Sequence, residues 1–144
     1  MKIVVQRVKK AVLYSEGEKF SSIGQGMLVL VGVTETDNQA VADKIAQKIL
    51  KMRIFEDKDG KTNLNVFDAG GEVMVVSNFT LYGNFKGTNR PDFGKASRPD
   101  HAELIYDSLV NKMRESMPIA TGVFRTHMEI EMIADGPCTY LYEE

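Results

Sequence analysis

The stretch Met27-Leu28-Val29-Leu30-Val31-Gly32-Val33 is a continuous apolar run in the first quarter of the chain. Seven residues rich in valine are typical of a β-strand, because β-branched side chains favour extended backbone. The run shows no alternation of apolar and polar residues. We therefore expect a strand that is buried on both faces of a sheet.

The residues before this run predict a β-hairpin. An extended segment runs from Ile3 through Val5 and Val8 to Tyr14, and Lys19–Ile23 follows it. Between them lies Glu16-Gly17-Glu18, whose central glycine suits a tight turn.

The residues after the apolar run predict a helix. Apolar residues recur at helical spacing from Val41 to Leu50, with polar residues on the opposite face. Thr36 and Gln39 have the spacing of a capping box, and Asp37 would interact favourably with the positive end of the helix dipole.

The second half of the chain adds one more helix and further strands. Pro99 is placed to begin a helix whose buried stripe is Ala102, Ile105, Leu109 and Met113. Two strands follow at the carboxyl end, with Asp135-Gly136-Pro137 interpreted as the turn between them. The pattern predicts one α+β domain over residues 1–144, with a largely antiparallel sheet and two main helices.

The composition limits the classes of function. A single cysteine, Cys138, excludes an internal disulfide and suits the reducing cytoplasm. With only two histidines beside it, a zinc site is not expected. The net charge of −2 gives no overall attraction for polyanions. We expect no signal peptide, because the first residues lack an apolar region of adequate length and a small-residue cleavage site. We expect no membrane span, because no apolar stretch approaches the roughly 20 residues that a membrane helix requires.

Two short segments are candidates for chemistry. Ser77-Asn78-Phe79-Thr80 directly follows a predicted strand, where polar groups are both well held and accessible. The alternative is that Ser77 and Asn78 only end the strand through local hydrogen bonds. Gly136-Pro137 can present bare backbone to a ligand, or be only a turn.

The long loop from Gly83 to Arg98 is a candidate phosphate-binding surface. It carries four basic residues and one acidic residue, Asp92, and the alternative is a solvated loop without a partner. The basic residues are Lys86, Arg90, Lys95 and Arg98. His127 is a possible general base, but a lone histidine is more often structural. Cys138 is favoured as a small buried hydrophobe.

The chain resembles the D-aminoacyl-tRNA deacylases along essentially its whole length. The resemblance is carried by the order and spacing of several segments, each of which is weak alone. They are Gln6-Arg7-Val8, Gly26–Val33, Arg53-Ile54-Phe55, Gly70-Gly71-Glu72-Val73, Ser77–Leu81, Arg90-Pro91-Asp92-Phe93, Thr121-Gly122-Val123-Phe124, Met128 and Asp135-Gly136-Pro137.

The resemblance implies a fold of curled sheets and a homodimer that hydrolyses D-aminoacyl-tRNA without a metal or organic cofactor. In the family the segment matching Ser77–Thr80 carries the catalytic backbone and a threonine hydroxyl. The segment matching Gly136-Pro137 enters the active site from the partner subunit with a cis peptide bond, and blocks an L-aminoacyl side chain while a D-aminoacyl group or glycine fits. Phe124, Arg125 and Met128 are expected to contact the substrate.

Several positions depart from the family pattern. Asn78 stands where glutamine is usual, Arg125-Thr126-His127 where Gly-Ala-Asp is usual, Ala134 where asparagine is usual and Cys138 where valine is usual. The leading hypothesis is a D-aminoacyl-tRNA hydrolase. A non-catalytic tRNA-binding protein, or a deacylase with another aminoacyl preference such as glycine, are the alternatives.

Overall fold

The computed structural model describes all residues from 1 to 144. The strands are β1 Lys2–Ser15, β2 Glu18–Ile23, β3 Gly26–Gly32, β4 Phe55–Glu56, β5 Thr62–Leu64, β6 Glu72–Ser77, β7 Ile119–Thr121 and β8 Met128–Glu143. The helices are α1 Gln39–Lys51, the short 3-10 helix Phe79–Tyr82, and α2 Pro99–Arg114.

Strand β1 pairs with three other strands. It is antiparallel to β3 over residues 2–8, to β2 over residues 11–15, and to β8 along nearly its whole length. The sheet curls, since Ser21 Oγ in β2 donates to the carbonyl of Thr121 in β7 at 2.7 Å. The predicted β1–β2 hairpin is confirmed, and Glu16 and Gly17 in its turn both have positive φ.

Strands β3, β6 and β7 form a parallel part of the same sheet. The prediction that β3 is buried on both faces is confirmed, because all its residues except Leu30 are buried. Met27, Val29 and Val31 face a core that also holds both helices, and Leu28 faces a smaller core beneath β1 and β8. The predicted α+β class, with a largely antiparallel sheet and two main helices, is confirmed.

The cap of helix α1 lies two residues after Thr36, the cap of the predicted capping box. The cap is Asn38, whose side chain accepts a hydrogen bond from the N–H of Val41 at 3.2 Å. Asp37 is buried instead, where it binds the Met1 ammonium group at 2.6 Å and the N–H of Thr34 at 2.8 Å. The capping-box prediction was wrong because this long-range ion pair takes Asp37 out of the first helical turn.

Helix α2 begins at Pro99, as predicted. Ile105, Leu109 and Met113 of the predicted stripe are buried, whereas Ala102 is only partly buried. Neither α1 nor α2 has the length and hydrophobicity needed to cross a membrane.

Strand β8 is continuous where two strands separated by a turn were expected. Thr139 pairs with Gln6 and Ala134 pairs with Val8, so the residues 135–138 lie opposite Arg7 alone. The turn prediction was wrong because glycine and proline are common in bulges as well as in turns. Only the pairing of β8 with β1 on both sides of the segment distinguishes the two. Within the bulge, Gly136 has φ +122° and the Gly136-Pro137 peptide bond is cis.

Two leucines on α2 test this assignment of the core. Leu109 is 0% exposed and Leu104 is 65% exposed. We expect Leu109→Ala to lower the free energy of unfolding by about 3 kcal/mol, because it removes apolar contacts and leaves a cavity. Leu104→Ala, the matched control, should change it by less than about 0.5 kcal/mol. Urea denaturation measures both, and equal losses would contradict the packing described.

Candidate active site

A cavity of about 800 Å³ lies where the parallel strands β3 and β6 end. Its floor is apolar and its rim is polar, which is the usual character of a small-ligand site. The lining residues are Leu30, Val33, Val76, Ser77, Asn78, Phe79, Thr80, Ser97, Pro99, Ala102, Phe124, Arg125, Thr126, His127, Met128 and Ile130. All four residues of the predicted segment Ser77–Thr80 are among them.

Asn78 organises the turn that leaves β6. Its backbone N–H donates to the carbonyl of Val31 at 2.7 Å, which ties the turn to the end of β3. Its side-chain Oδ1 accepts from the N–H of Thr80 at 3.1 Å and from the Thr80 hydroxyl. Asn78 thereby caps the 3-10 helix, and the backbone at Phe79 and Thr80 is held at the cavity wall.

Two contacts attach the loop Gly83–Arg98 to the cavity. The rings of Phe79 and Phe93 meet edge to face with centroids 4.9 Å apart. The N–H of Ser97 donates to the carbonyl of Val33 at 2.9 Å. Behind the cavity, the buried Tyr106 hydroxyl donates to the carbonyl of Val75 at 2.8 Å, and burial raises the pKa of Tyr106.

Phe124, Arg125 and Met128 also line the cavity, and the Phe124 ring lies 6.0 Å from the Tyr106 ring of α2. Arg125 has φ +60°, a left-handed conformation that glycine adopts more readily. The Arg125 backbone therefore keeps a conformation suited to the glycine that is usual in the family at this position. His127 is exposed at the rim, and its ring makes no hydrogen bond to another residue.

Gly136 and Pro137 are exposed and lie outside the cavity of their own chain. The base of their bulge is held by Arg7, which is 5% exposed. Arg7 Nε is 3.0 Å from Asp135 Oδ2, and Arg7 Nη1 donates to the carbonyl of Ile54 at 2.9 Å. A buried arginine needs such partners, so its ion pair fixes where the bulge leaves the sheet.

The four basic loop residues do not line the cavity. Arg98 precedes α2, and its backbone N–H donates to the Glu35 carboxylate at 2.7 Å. This bond and the nearby guanidinium lower the pKa of Glu35. Lys86, Arg90 and Lys95 are exposed and form no ion pair.

Sequence reasoning missed part of the cavity. Ser97, Pro99 and Ala102 line it from the start of α2, and Leu30, Val76 and Ile130 form its floor. Pro99 predicted where α2 begins, but no local pattern in the sequence indicates which strand end the start of α2 packs against. No group of three or more histidine, cysteine or acidic side chains is arranged to hold a metal.

Comparisons with known proteins identify the family of this chain. The model of the family described as D-Tyr-tRNA(Tyr) deacylase matches residues 4–143. The chain is 46% identical to the D-aminoacyl-tRNA deacylase of Chloroherpeton thalassium, over 99% of this chain and 95% of that protein. It is also 44% identical to the D-aminoacyl-tRNA deacylase of Symbiobacterium thermophilum, with the same coverage.

Two solved structures share the fold. One, titled c-Myc DNA Unwinding Element Binding Protein, has a TM-score of 0.94 and 38% identity, covering 100% of this chain and 99% of that one. The other, described as a probable eukaryotic D-amino acid tRNA deacylase, has a TM-score of 0.85 at 14% identity, covering 98% and 97%. With a family match over residues 4–143 and relatives of 44–46% identity, the chain belongs to the D-Tyr-tRNA(Tyr) deacylase family.

Proposed function

We propose that this chain hydrolyses the ester bond of D-aminoacyl-tRNA, releasing the free amino acid and the tRNA. One observation carries the proposal: a single cavity collects Ser77–Thr80, Phe124, Arg125 and Met128 in a chain of this family. Its volume of about 800 Å³ lies within the usual range for small-ligand sites and suits a terminal nucleoside with its aminoacyl group. The protein acts in the cytoplasm as one domain over residues 1–144.

The reaction needs little from side chains, because an aminoacyl ester is already activated. Water attacks the ester carbonyl carbon, and the carbonyl oxygen takes up the negative charge. The bond to the ribose oxygen then breaks, and that oxygen receives the proton. The backbone N–H of Phe79, which is left free in this turn, stabilises the oxyanion, and the cavity positions the ester. The neighbouring ribose 2′-OH, which only RNA supplies, takes part in the step.

The rigid turn supports this assignment. Oxyanion stabilisation requires donors that do not reorganise during the reaction. The Asn78 side chain fixes Thr80 from within the same turn, and the Asn78 backbone fixes the turn to β3. The shorter asparagine side chain therefore still shapes the turn where the family usually has glutamine.

Selection against L-aminoacyl groups comes from a second subunit in a homodimer. Gly136 and Pro137 project from the surface of one chain and enter the cavity of its partner. There their backbone occupies the space that an L side chain needs, while a D side chain points away. This arrangement is supported by the exposure of both residues and by the firm hold of Arg7 on the base of the bulge.

The remaining cations lie where they can meet phosphates. Arg125 sits at the cavity rim, and Lys86, Arg90, Lys95 and Arg98 lie on the exposed loop that packs against Phe79. Such contacts add affinity for tRNA without reading its sequence. No cofactor is proposed, since water and the tRNA supply the reacting groups.

A second candidate function is favoured by two residues at the rim of the cavity that depart from the family pattern. Arg125 and His127 place basic side chains where the family usually has glycine and aspartate, which alters the charge next to the substrate. With this altered charge, the protein would be a deacylase with another aminoacyl preference, such as glycine, or a non-catalytic tRNA-binding protein. A panel of tRNAs charged with D, L and glycyl groups separates these functions.

The leading proposal predicts D-selective hydrolysis. Purified protein should release D-tyrosine from D-Tyr-tRNA at least about 100-fold faster than L-tyrosine from L-Tyr-tRNA, a difference of roughly 2.7 kcal/mol in activation free energy. Release of radiolabelled amino acid measures both rates. Absence of D-selective release at high enzyme concentration would sink the proposal.

The Thr80 hydroxyl is a separate part of the proposal. Thr80→Ala should lower kcat/KM for D-Tyr-tRNA by about 100-fold, because it removes the hydroxyl that bonds the Asn78 side chain and holds the turn at the cavity wall. Thr80→Ser keeps the hydroxyl and should recover most of the rate. An unchanged rate in Thr80→Ala would remove the side chain from the chemistry and leave catalysis by the backbone.

A further inference from the structure

A second cleft lies between the polar face of α1 and the carboxyl-terminal part of β8. It has a volume of about 570 Å³, and its lining carries four cations and no carboxylate. The lining residues are Lys44, Gln47, Lys48, Lys51, Met52, Arg53, Ile54, Tyr140 and Tyr142. Because the whole chain has a net charge of −2, this concentration of positive charge is local.

The lysines form one wall of the cleft. Lys44, Lys48 and Lys51 are spaced four and three residues apart, so they lie on one face of α1. The Lys44 ammonium pairs with the Glu144 carboxylate. Lys48 and Lys51 have no carboxylate partner, and both are exposed. Their charges are therefore available to an anion from outside the chain.

Two tyrosines form the facing wall. Tyr140 and Tyr142 lie two residues apart on β8, so their side chains share one face of the strand. The Lys48 ammonium is 5.2 Å from the centroid of the Tyr142 ring. Burial, and then the neighbouring Cys138 thiol, raise the pKa of Tyr140. Cations facing aromatic rings across a groove are the usual composition of sites for single-stranded nucleic acid.

The cleft is linked to the Gly136-Pro137 bulge. Arg7 holds the carbonyl of Ile54, a lining residue of the cleft, through Nη1 at 2.9 Å. The same guanidinium holds Asp135, which precedes the bulge, through Nε at 3.0 Å. One lining residue of the cleft and the base of the bulge are thus held by a single side chain. Since the bulge is proposed to enter the partner's cavity, the cleft would lie beside that cavity in the dimer.

We propose that this cleft binds the phosphodiester backbone of the tRNA nucleotides that precede the aminoacylated terminal nucleotide. The proposal rests on the function proposed above, because it states where the phosphates of the proposed tRNA substrate bind. Lys48 and Lys51 contact phosphates, and the tyrosine rings offer faces on which unpaired bases stack. The contacts are independent of sequence and depend on salt.

The test compares two double variants with equal loss of charge. Lys48→Gln/Lys51→Gln removes the free cations of the cleft and keeps helix-forming side chains of similar length. Lys58→Gln/Lys61→Gln, the control, removes two exposed lysines from the turn between β4 and β5, outside the cleft. Melting temperatures of both variants should match that of the unaltered protein, which shows that each is folded.

The readout is the Kd for uncharged tRNA, measured by fluorescence anisotropy at several KCl concentrations. We expect the cleft variant to raise Kd roughly tenfold at about 0.15 M salt, because each lost phosphate contact with a single strand reduces the slope of log K against log salt by about 0.7. The slope should therefore fall by about 1.4, and the control should stay within about twofold of the unaltered protein.

One result would overturn the proposal: Kd values and salt slopes of the cleft variant that equal those of the control. Uncharged tRNA undergoes no ester hydrolysis, so the binding result stands apart from the catalytic one. An unaltered protein that binds tRNA through the cleft but releases no D-amino acid would contradict only the proposed hydrolysis.

Discussion

The main-chain hydrogen bonds of β1 join three of the other five strands of the sheet. One edge of the strand pairs first with β3 and then with β2, and the other edge pairs with β8. The register shifts on either side of Val8. Before the shift Ile3 and Val5 face the helix-covered core, and after it Ala11 and Leu13 face the smaller core. One strand therefore serves two cores, and the sheet must curl to bury both.

The same register shift positions the proposed functional elements. Because residues 135–138 lie opposite Arg7 alone, the extra backbone leaves the plane of the sheet and exposes Gly136 and Pro137. The buried Arg7 guanidinium then needs acceptors, and Asp135 and Ile54 supply them. The other proposed element, the turn at Ser77–Thr80, is positioned where β3 and β6 end side by side. Both elements are fixed by strand pairing rather than by loops.

Local patterns in the sequence predicted most of the elements but not their spatial arrangement. The valine-rich run of β3 and the helical spacing of α1 are strong short-range signals, and both were confirmed. The capping box failed because Asp37 is held by Met1, 36 residues away in the chain. The turn at Asp135-Gly136-Pro137 failed because pairing with β1 continues on both sides of it. Ser77–Thr80 was predictable as a strand end, whereas the lysine and tyrosine walls of the second cleft come from distant segments and share no motif.

The central claim is that each active site combines the cavity of one chain with Gly136-Pro137 of the other. Hybrid dimers test it most directly. Ser77→Tyr fills the cavity from its own chain, and Gly136→Val adds a side chain that fills the partner's cavity from the bulge, so each homodimer should be inactive toward D-Tyr-tRNA. A co-expressed hybrid carrying one change in each chain should recover roughly half the activity of the unaltered dimer, because a two-fold arrangement leaves one site free of both changes. A hybrid as inactive as its two parents would contradict the account, since sites built within single chains would all be defective.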